Sequence, residues 1–125
     1  MENRSIINNK SFAFALRIVK LNQYLASDKK EYVMSKQLLR SGTSIGANVN
    51  EALQGFSKKD FTYKMNISLK EAFETDYWLR LLNESGYINN EEFKSVNTDC
   101  TEIIRILTAI VKTSKSNDLI QKQKQ

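Results

Sequence analysis

Ser41-Gly-Thr-Ser-Ile-Gly-Ala-Asn-Val-Asn-Glu-Ala52, continued after a short gap by Ser57-Lys-Lys-Asp-Phe61, places small and polar residues where a helix ordinarily shows large apolar ones. Positions 38, 41, 45, 48, 52 and 55 or 56 recur every three or four residues, so Leu38, Ser41, Ile45, Asn48, Ala52 and Gly55 or Phe56 share one helical stripe. Small side chains on such a stripe let a neighbouring helix approach closely. Asn48 and Glu51 need hydrogen-bond partners wherever that face is covered. The pattern predicts a bundle of helices with a polar seam, and no catalytic site follows from it.

Working outward, the chain divides into four helical segments. The first runs from about Asn9 to Ala26, capped near Asn9 or Ser11. It carries Phe12, Leu16, Val19 and Gln23 on one face and Phe14, Ile18, Leu21 and Leu25 on another. A helix apolar on two sides calls for two partners, so one stripe is expected to face a second subunit. Ser27-Asp-Lys-Lys-Glu31 reads as a polar turn. The second helix spans about Val33 to Gln54, with Gly55 as its C-terminal cap residue and Phe56 packing back. Gly42 and Gly46 inside it each cost about 1 kcal/mol relative to alanine, which close helix contact offsets.

Ser57 with Asp60 resembles a capping box that uses Asp in place of Glu. The third helix follows through Phe61, Met65, Ser68 or Leu69, Ala72, Thr75 or Asp76, Leu79 and Leu82 to Asn83, and Gly86 stops it. Asn89 or Asn90 caps the fourth, with Glu91 and Glu92 in its first turn where the macrodipole favours them. Its core stripe is Phe93, Val96, Cys100, Ile103, Leu107 and Ile110. Short connections make successive helices antiparallel. The expected fold is all-α, an antiparallel up-down-up-down four-helix bundle over residues 9–113. A flexible N-terminus over 1–8 and a polar, disordered tail over 114–125 are expected to flank it.

At 125 residues, with 41% hydrophobic and 26% charged residues, the chain has the make-up of one soluble domain. Having no proline and four glycines suits long helices. Its apolar runs are too short for a transmembrane span, and the N-terminus lacks the apolar core of a signal peptide. A lone Cys100 excludes an intrachain disulfide and points to a reducing compartment, so a cytoplasmic location is expected. The absence of histidine removes the familiar zinc sites and every Ser-His or Cys-His nucleophile. With no catalytic motif present, the expectation is a protein without enzymatic activity, cofactor or metal.

Lys and Arg number 19 against 14 Asp and Glu, a net charge of +5. A positive surface attracts phosphate backbones. The candidate nucleic-acid residues are Lys36, Arg40, Lys58, Lys59 and Lys64, with Lys29 and Lys30 beside them. The turns near 29–30 and 55–59 fall at opposite ends of such a bundle, so one compact patch does not hold all of these. The same lysines also read as solvated helix faces. Arg40 reads either as a fork for phosphate or a partner carboxylate, or as an ion pair with Glu51, Glu74 or Asp76, and the ion pair is preferred.

Ser44, Asn48, Glu51 and Glu74 are expected to form a structural polar network that fixes helix register. The alternative, a carboxylate metal centre, ordinarily uses a Glu-x-x-His pattern that a chain without histidine lacks. Tyr63, Tyr77, Trp78 and Tyr87 offer surfaces for base stacking or, preferably, for a core or oligomer interface. Lys112, Lys115, Lys122 and Lys124 make a basic tail, diluted by Asp118 and glutamines.

The run Gln37-Leu-Leu-Arg-Ser-Gly-Thr-Ser-Ile-Gly-Ala-Asn-Val-Asn-Glu51, with Ser57-Lys-Lys-Asp-Phe61, Asn66-Ile-Ser-Leu69, Glu74 and Gly86-Tyr-Ile88, resembles a bacterial family. These are the four-helix bundle proteins named for the open reading frame inside 23S ribosomal RNA intervening sequences, and the resemblance covers about Ser11 to Ser114. Two positions depart from the family pattern. Ala52 follows Glu51 where glycine is usual, and Ser41 stands where a second basic residue often accompanies Arg40.

The resemblance implies an antiparallel bundle, assembly into ring-like homopentamers and no established enzymatic activity. It also implies likeness in fold to the accessory variability determinant of diversity-generating retroelements, a basic pentamer that engages a reverse transcriptase and nucleic acid. The expected function is therefore an oligomeric, non-enzymatic scaffold that contacts RNA or DNA through a basic surface; the alternative is a protein-interaction or self-assembly module without nucleic-acid binding.

Overall fold

In a computed structural model of the protein, residues 2–55 and 57–124 are described. Phe56, expected to pack back on the second helix, lies outside them, as do the side chains of Lys122 and Lys124 in the expected basic tail. The chain forms α1 (Glu2–Ser27), α2 (Met34–Leu53), α3 (Lys58–Glu84) and α4 (Asn90–Lys124), with no strand among the described residues.

The two outer helices are longer than their apolar stripes suggested. α1 begins at Glu2 rather than near Asn9, and Ile7, in the segment expected to be flexible, is fully buried. α4 continues through the segment expected to be a polar tail, to Lys124. No proline and no glycine follow Gly86, so nothing in the backbone chemistry stops it earlier.

The three connections are each closed by local hydrogen bonds. Glu31, only 8% exposed, accepts from the backbone N–H groups of Val33, Met34 and Ser35, and so caps α2 from two residues before its N-cap position. Ser57 accepts from the Asp60 N–H at 3.0 Å at the start of α3. Asn89 and Glu92 form a reciprocal capping box at the start of α4, with bonds of 2.8 and 2.9 Å. At the end of α3, Tyr87 N–H bonds Leu82 O and Gly86 N–H bonds Asn83 O, a Schellman motif in which Gly86 takes φ +88°. Gly55 plays another part than the expected cap. Its φ is not positive, and a Cβ there would stand 2.8 Å from the Ala52 carbonyl oxygen.

Each helix packs on two neighbours, α1 on α2 and α4, and α3 on α2 and α4. The facing pairs run in opposite directions. Ser41 meets Thr75, Ile45 meets Ser68 and Glu51 meets Lys64 across α2 and α3. Ser35 meets Asn22, Gly42 meets Ile18 and Gly46 meets Ser11 across α2 and α1. Asp76 meets Asn97, Ala72 meets Cys100 and Thr62 meets Ser114 across α3 and α4. Arg17 meets Asp99 and Lys10 meets Glu102 across α1 and α4. These registers define an antiparallel up-down-up-down bundle closed into a four-membered ring.

Phe14, Ile18, Leu38, Ile45, Met65, Leu79, Ile103 and Leu107 fill its centre. Val49, rather than Asn48, occupies the buried line of α2, and Asn48 is half-buried beside it. Cys100 is fully buried. Burial, with Asp76 and Asp99 nearby, pushes its thiol up to about 12.

The tightest contact joins α1 and α2. A Cβ on Gly42 would lie 2.8 and 2.9 Å from the two γ carbons of Ile18 and 3.2 Å from its Cβ. Gly42→Ala is therefore expected to lower stability by about 1–3 kcal/mol, against the gain of about 1 kcal/mol that the same change gives in an open helix. Urea unfolding of the single variant and of the same variant with Ile18→Ala checks this. The loss should shrink when Ile18 is shortened as well, relative to Ile18→Ala alone.

Candidate functional site

The polar seam is built by α2 and α3. On α2, positions 41 and 45 are one turn apart; on α3, positions 68, 72 and 75 form the matching row. Ser68 Oγ donates to the Ile45 carbonyl at 2.8 Å, and the Thr75 hydroxyl lies 3.0 Å from Ser41 Oγ. All three hydroxyl residues are fully buried, and each has a partner. Short side chains thus join the two helices through hydrogen bonds as well as by contact.

Arg40 sits at the rim of this seam, about half exposed. Its Nη1 donates to Glu71 Oε2 at 2.8 Å and its Nη2 to Glu74. Glu74 also accepts from the Trp78 indole N–H at 3.0 Å, and Trp78 meets the Tyr77 ring edge-on with centroids 5.1 Å apart. The indole hydrogen bond holds the Glu74 carboxyl below its ordinary range. Burial opposes this and Arg40 reinforces it. Glu74 in turn holds the Arg40 guanidinium above its ordinary range. One guanidinium between two carboxylates leaves this cluster net negative. The arrangement is an interhelix clamp, and it occupies the fork that a phosphate would need.

The structure disperses the other candidates. Lys64 pairs with Glu51 at 3.7 Å. Lys36 lies at the start of α2 and Lys58 and Lys59 at the start of α3, which are opposite ends of the bundle. Of the expected polar network, Ser44 donates to Arg40 O at 2.6 Å and Asn48 to Ser44 O at 2.8 Å, both along α2 itself. Glu51 turns to Lys64, so Glu74 alone of the four makes a side-chain bond to Arg40.

The residues that do bridge α2 and α3 include Ser68 and Thr75, which the helical period of the third helix offered as alternatives to Leu69 and Asp76, and Glu71, which the sequence reading left aside. Their signal is the spacing of 68 and 75, seven apart on one face, opposite the small residues of α2. Among the described residues no three His, Cys, Asp or Glu side chains are grouped to hold a metal ion, and no helix is long and apolar enough to cross a membrane.

An antiparallel four-helix ring whose second helix carries small residues against α1 and a hydroxyl seam against α3 defines the class. The family of 23S rRNA-intervening sequence proteins matches residues 3–109, and the chain belongs to that family. A crystal structure of a protein of unknown function from the S23 ribosomal protein family of Bacteroides thetaiotaomicron VPI-5482 is similar to it. The two are 53% identical, with a TM-score of 0.87, over 88% of this chain and 98% of that one. No curated protein matches the chain.

Because its pKa is depressed, Glu74 contributes stability that is present above the unfolded carboxylate range and is lost as pH falls through its lower folded value. Trp78→Phe removes the indole donor. It is expected to raise the Glu74 pKa in an NMR titration and to cost about 1 kcal/mol near neutral pH, discounted for the partial exposure of the pair. Urea unfolding across pH should show that difference closing once Glu74 is protonated in both proteins.

Proposed function

We propose that the protein is a non-enzymatic cytoplasmic scaffold that works as a homo-oligomer, a pentamer by its resemblance, assembled through the long faces of its helices. One observation carries the reading. The outer stripe of α1 presents Phe12, Leu16 and Val19 to solvent on the single chain, with Phe12 64% exposed. Phe14, Ile18 and Leu25 on the same helix already fill the core, so the outer stripe is surplus to the fold of one chain.

α3, across the ring from α1, repeats the arrangement with Phe73, Tyr77 and Leu81 facing outward. Alongside these stripes the outward faces of α2 and α4 are polar, with Lys36, Arg40 and Asn50 on one and Thr98, Thr101 and Arg105 on the other, and α4 exposes Leu119 and Ile120 only near its far end. Two apolar faces on opposite sides of a bundle, separated by polar ones, suit contact with more than one neighbouring copy.

Sedimentation equilibrium of the purified chain tests this. The wild type is expected to be an oligomer at micromolar concentration. Phe12→Glu with Leu16→Glu is expected to give a smaller species that keeps its helical circular dichroism, since both side chains are in solvent on the single chain. A wild type that is monomeric up to hundreds of micromolar would sink the proposal.

A further inference from the structure

The charge of the bundle is divided along its length. A plane across the long axis, placed by the helix registers, passes between residues 13 and 14, 43 and 44, 70 and 71, and 100 and 101. Counted by chain position, the half that holds the α2–α3 turn has eleven Lys and Arg against five Asp and Glu, a net of +6. The other half has eight against nine, a net of −1, and together they make the +5 of the chain.

The two halves also use their charges differently. In the balanced half the arginines are tied down, Arg17 to Asp99, Arg40 to Glu71 and Glu74, and Arg80 to Asp76. In the positive half Lys10 and Lys64 are paired, but among the described residues Lys58, Lys59, Lys112 and Lys115 form no ion pair and stand in solvent.

Several of these cations meet at one place. The Arg4 guanidinium lies over the Phe61 ring, 4.4 Å from its centroid, and Phe61 is within one turn of Lys58. Thr62, next to Phe61, contacts Ser114, which precedes Lys115. Arg4 by contact, Lys58 and Lys59 within one turn, and Lys115 through its neighbour Ser114 therefore bring three helices' cations to the level of the Phe61–Thr62 step. Lys58 and Lys59 occupy the first turn of α3 beside Asp60, the one acidic residue of that turn, so positive charge outweighs negative there. Tyr63, 62% exposed, follows Lys59 by one turn and offers a ring face beside the lysines.

We infer that this end of the bundle is a docking surface for a single-stranded nucleic acid, its phosphodiester backbone held by Arg4, Lys58, Lys59 and Lys115 and a base resting on Tyr63. The cations are spread over an open end and do not converge on an enclosed cradle, which suits a chain of phosphates and not one small anion. Flexible lysine stems without a fixed donor set give little base readout, so affinity follows backbone charge. This inference is independent of the self-association proposed above.

Fluorescence anisotropy of labelled mixed-sequence single-stranded RNA and DNA, titrated with the full chain over a salt series, tests it. Two triple variants change the net charge equally: Lys58→Glu, Lys59→Glu and Lys115→Glu at the positive end, and Lys29→Glu, Lys30→Glu and Lys36→Glu in the balanced half. The wild type should bind with a steep salt dependence. The first variant should lose at least about tenfold in affinity and flatten the salt slope, while the second stays within about threefold. The RNA and DNA arms show which strand is preferred.

Equal weakening by both variants, no binding by the wild type at low salt, or equal affinity for anionic lipid vesicles would overturn the inference. Amide chemical shifts of the wild-type chain on adding the RNA give a second readout that needs no variant. Shifts gathered at 4, 58–63 and 112–115 support the surface, and shifts confined to 28–36 overturn it.

Discussion

The side chain of Ile18 lies in the notch left by Gly42, and the rest of the bundle is arranged around that contact. No other residue type at 42 leaves the space, because even a methyl group would overlap carbons close to the Ile18 backbone. The approach fixes how α2 is rotated about its axis. With Gly42 turned toward α1, Ser41 and Ile45 are turned toward α3, where Thr75 and Ser68 meet them. Arg40 is carried to the rim, within reach of Glu71 and Glu74. A helix with a bulky residue at 42 would sit farther from α1, and these three relations would fail together.

Much of this architecture was legible in the sequence because it is written in periodicity. The stripes of α1, α3 and α4, the absence of proline and the placing of Gly86 all act locally, so number and order of helices followed from them. The two chain ends were less legible. Ile6 and Ile7 are a short apolar pair among polar residues with no period to extend, and the burial of Ile7 depends on neighbours far along the chain. A polar run such as 114–124 gives no apolar period, yet it also contains nothing that ends a helix.

The polar residues divided in the same way. Glu74 with Arg40 was readable as a charge pair across neighbouring helices, whereas Glu71 was hidden because its partner was already matched. The expected network of Ser44, Asn48 and Glu51 dissolves because hydroxyl and amide groups on a helix readily bond their own backbone one turn back. Glu31 looked like a turn residue, and its capping of three N–H groups depends on a backbone path that composition does not reveal.

Cys100 gives the bundle an internal clock. Its sulfur lies 3.5 Å from the Ala72 carbonyl oxygen, between α3 and α4, with no solvent access. With burial pushing the thiol up to about 12, very little of it is the reactive thiolate at neutral pH. The intact protein is in effect inert to alkylating reagents and to mild oxidants. A chain in which α3 and α4 have parted regains an ordinary cysteine. The rate at which the sulfur is trapped therefore counts openings of this helix pair, with no probe added and no residue changed.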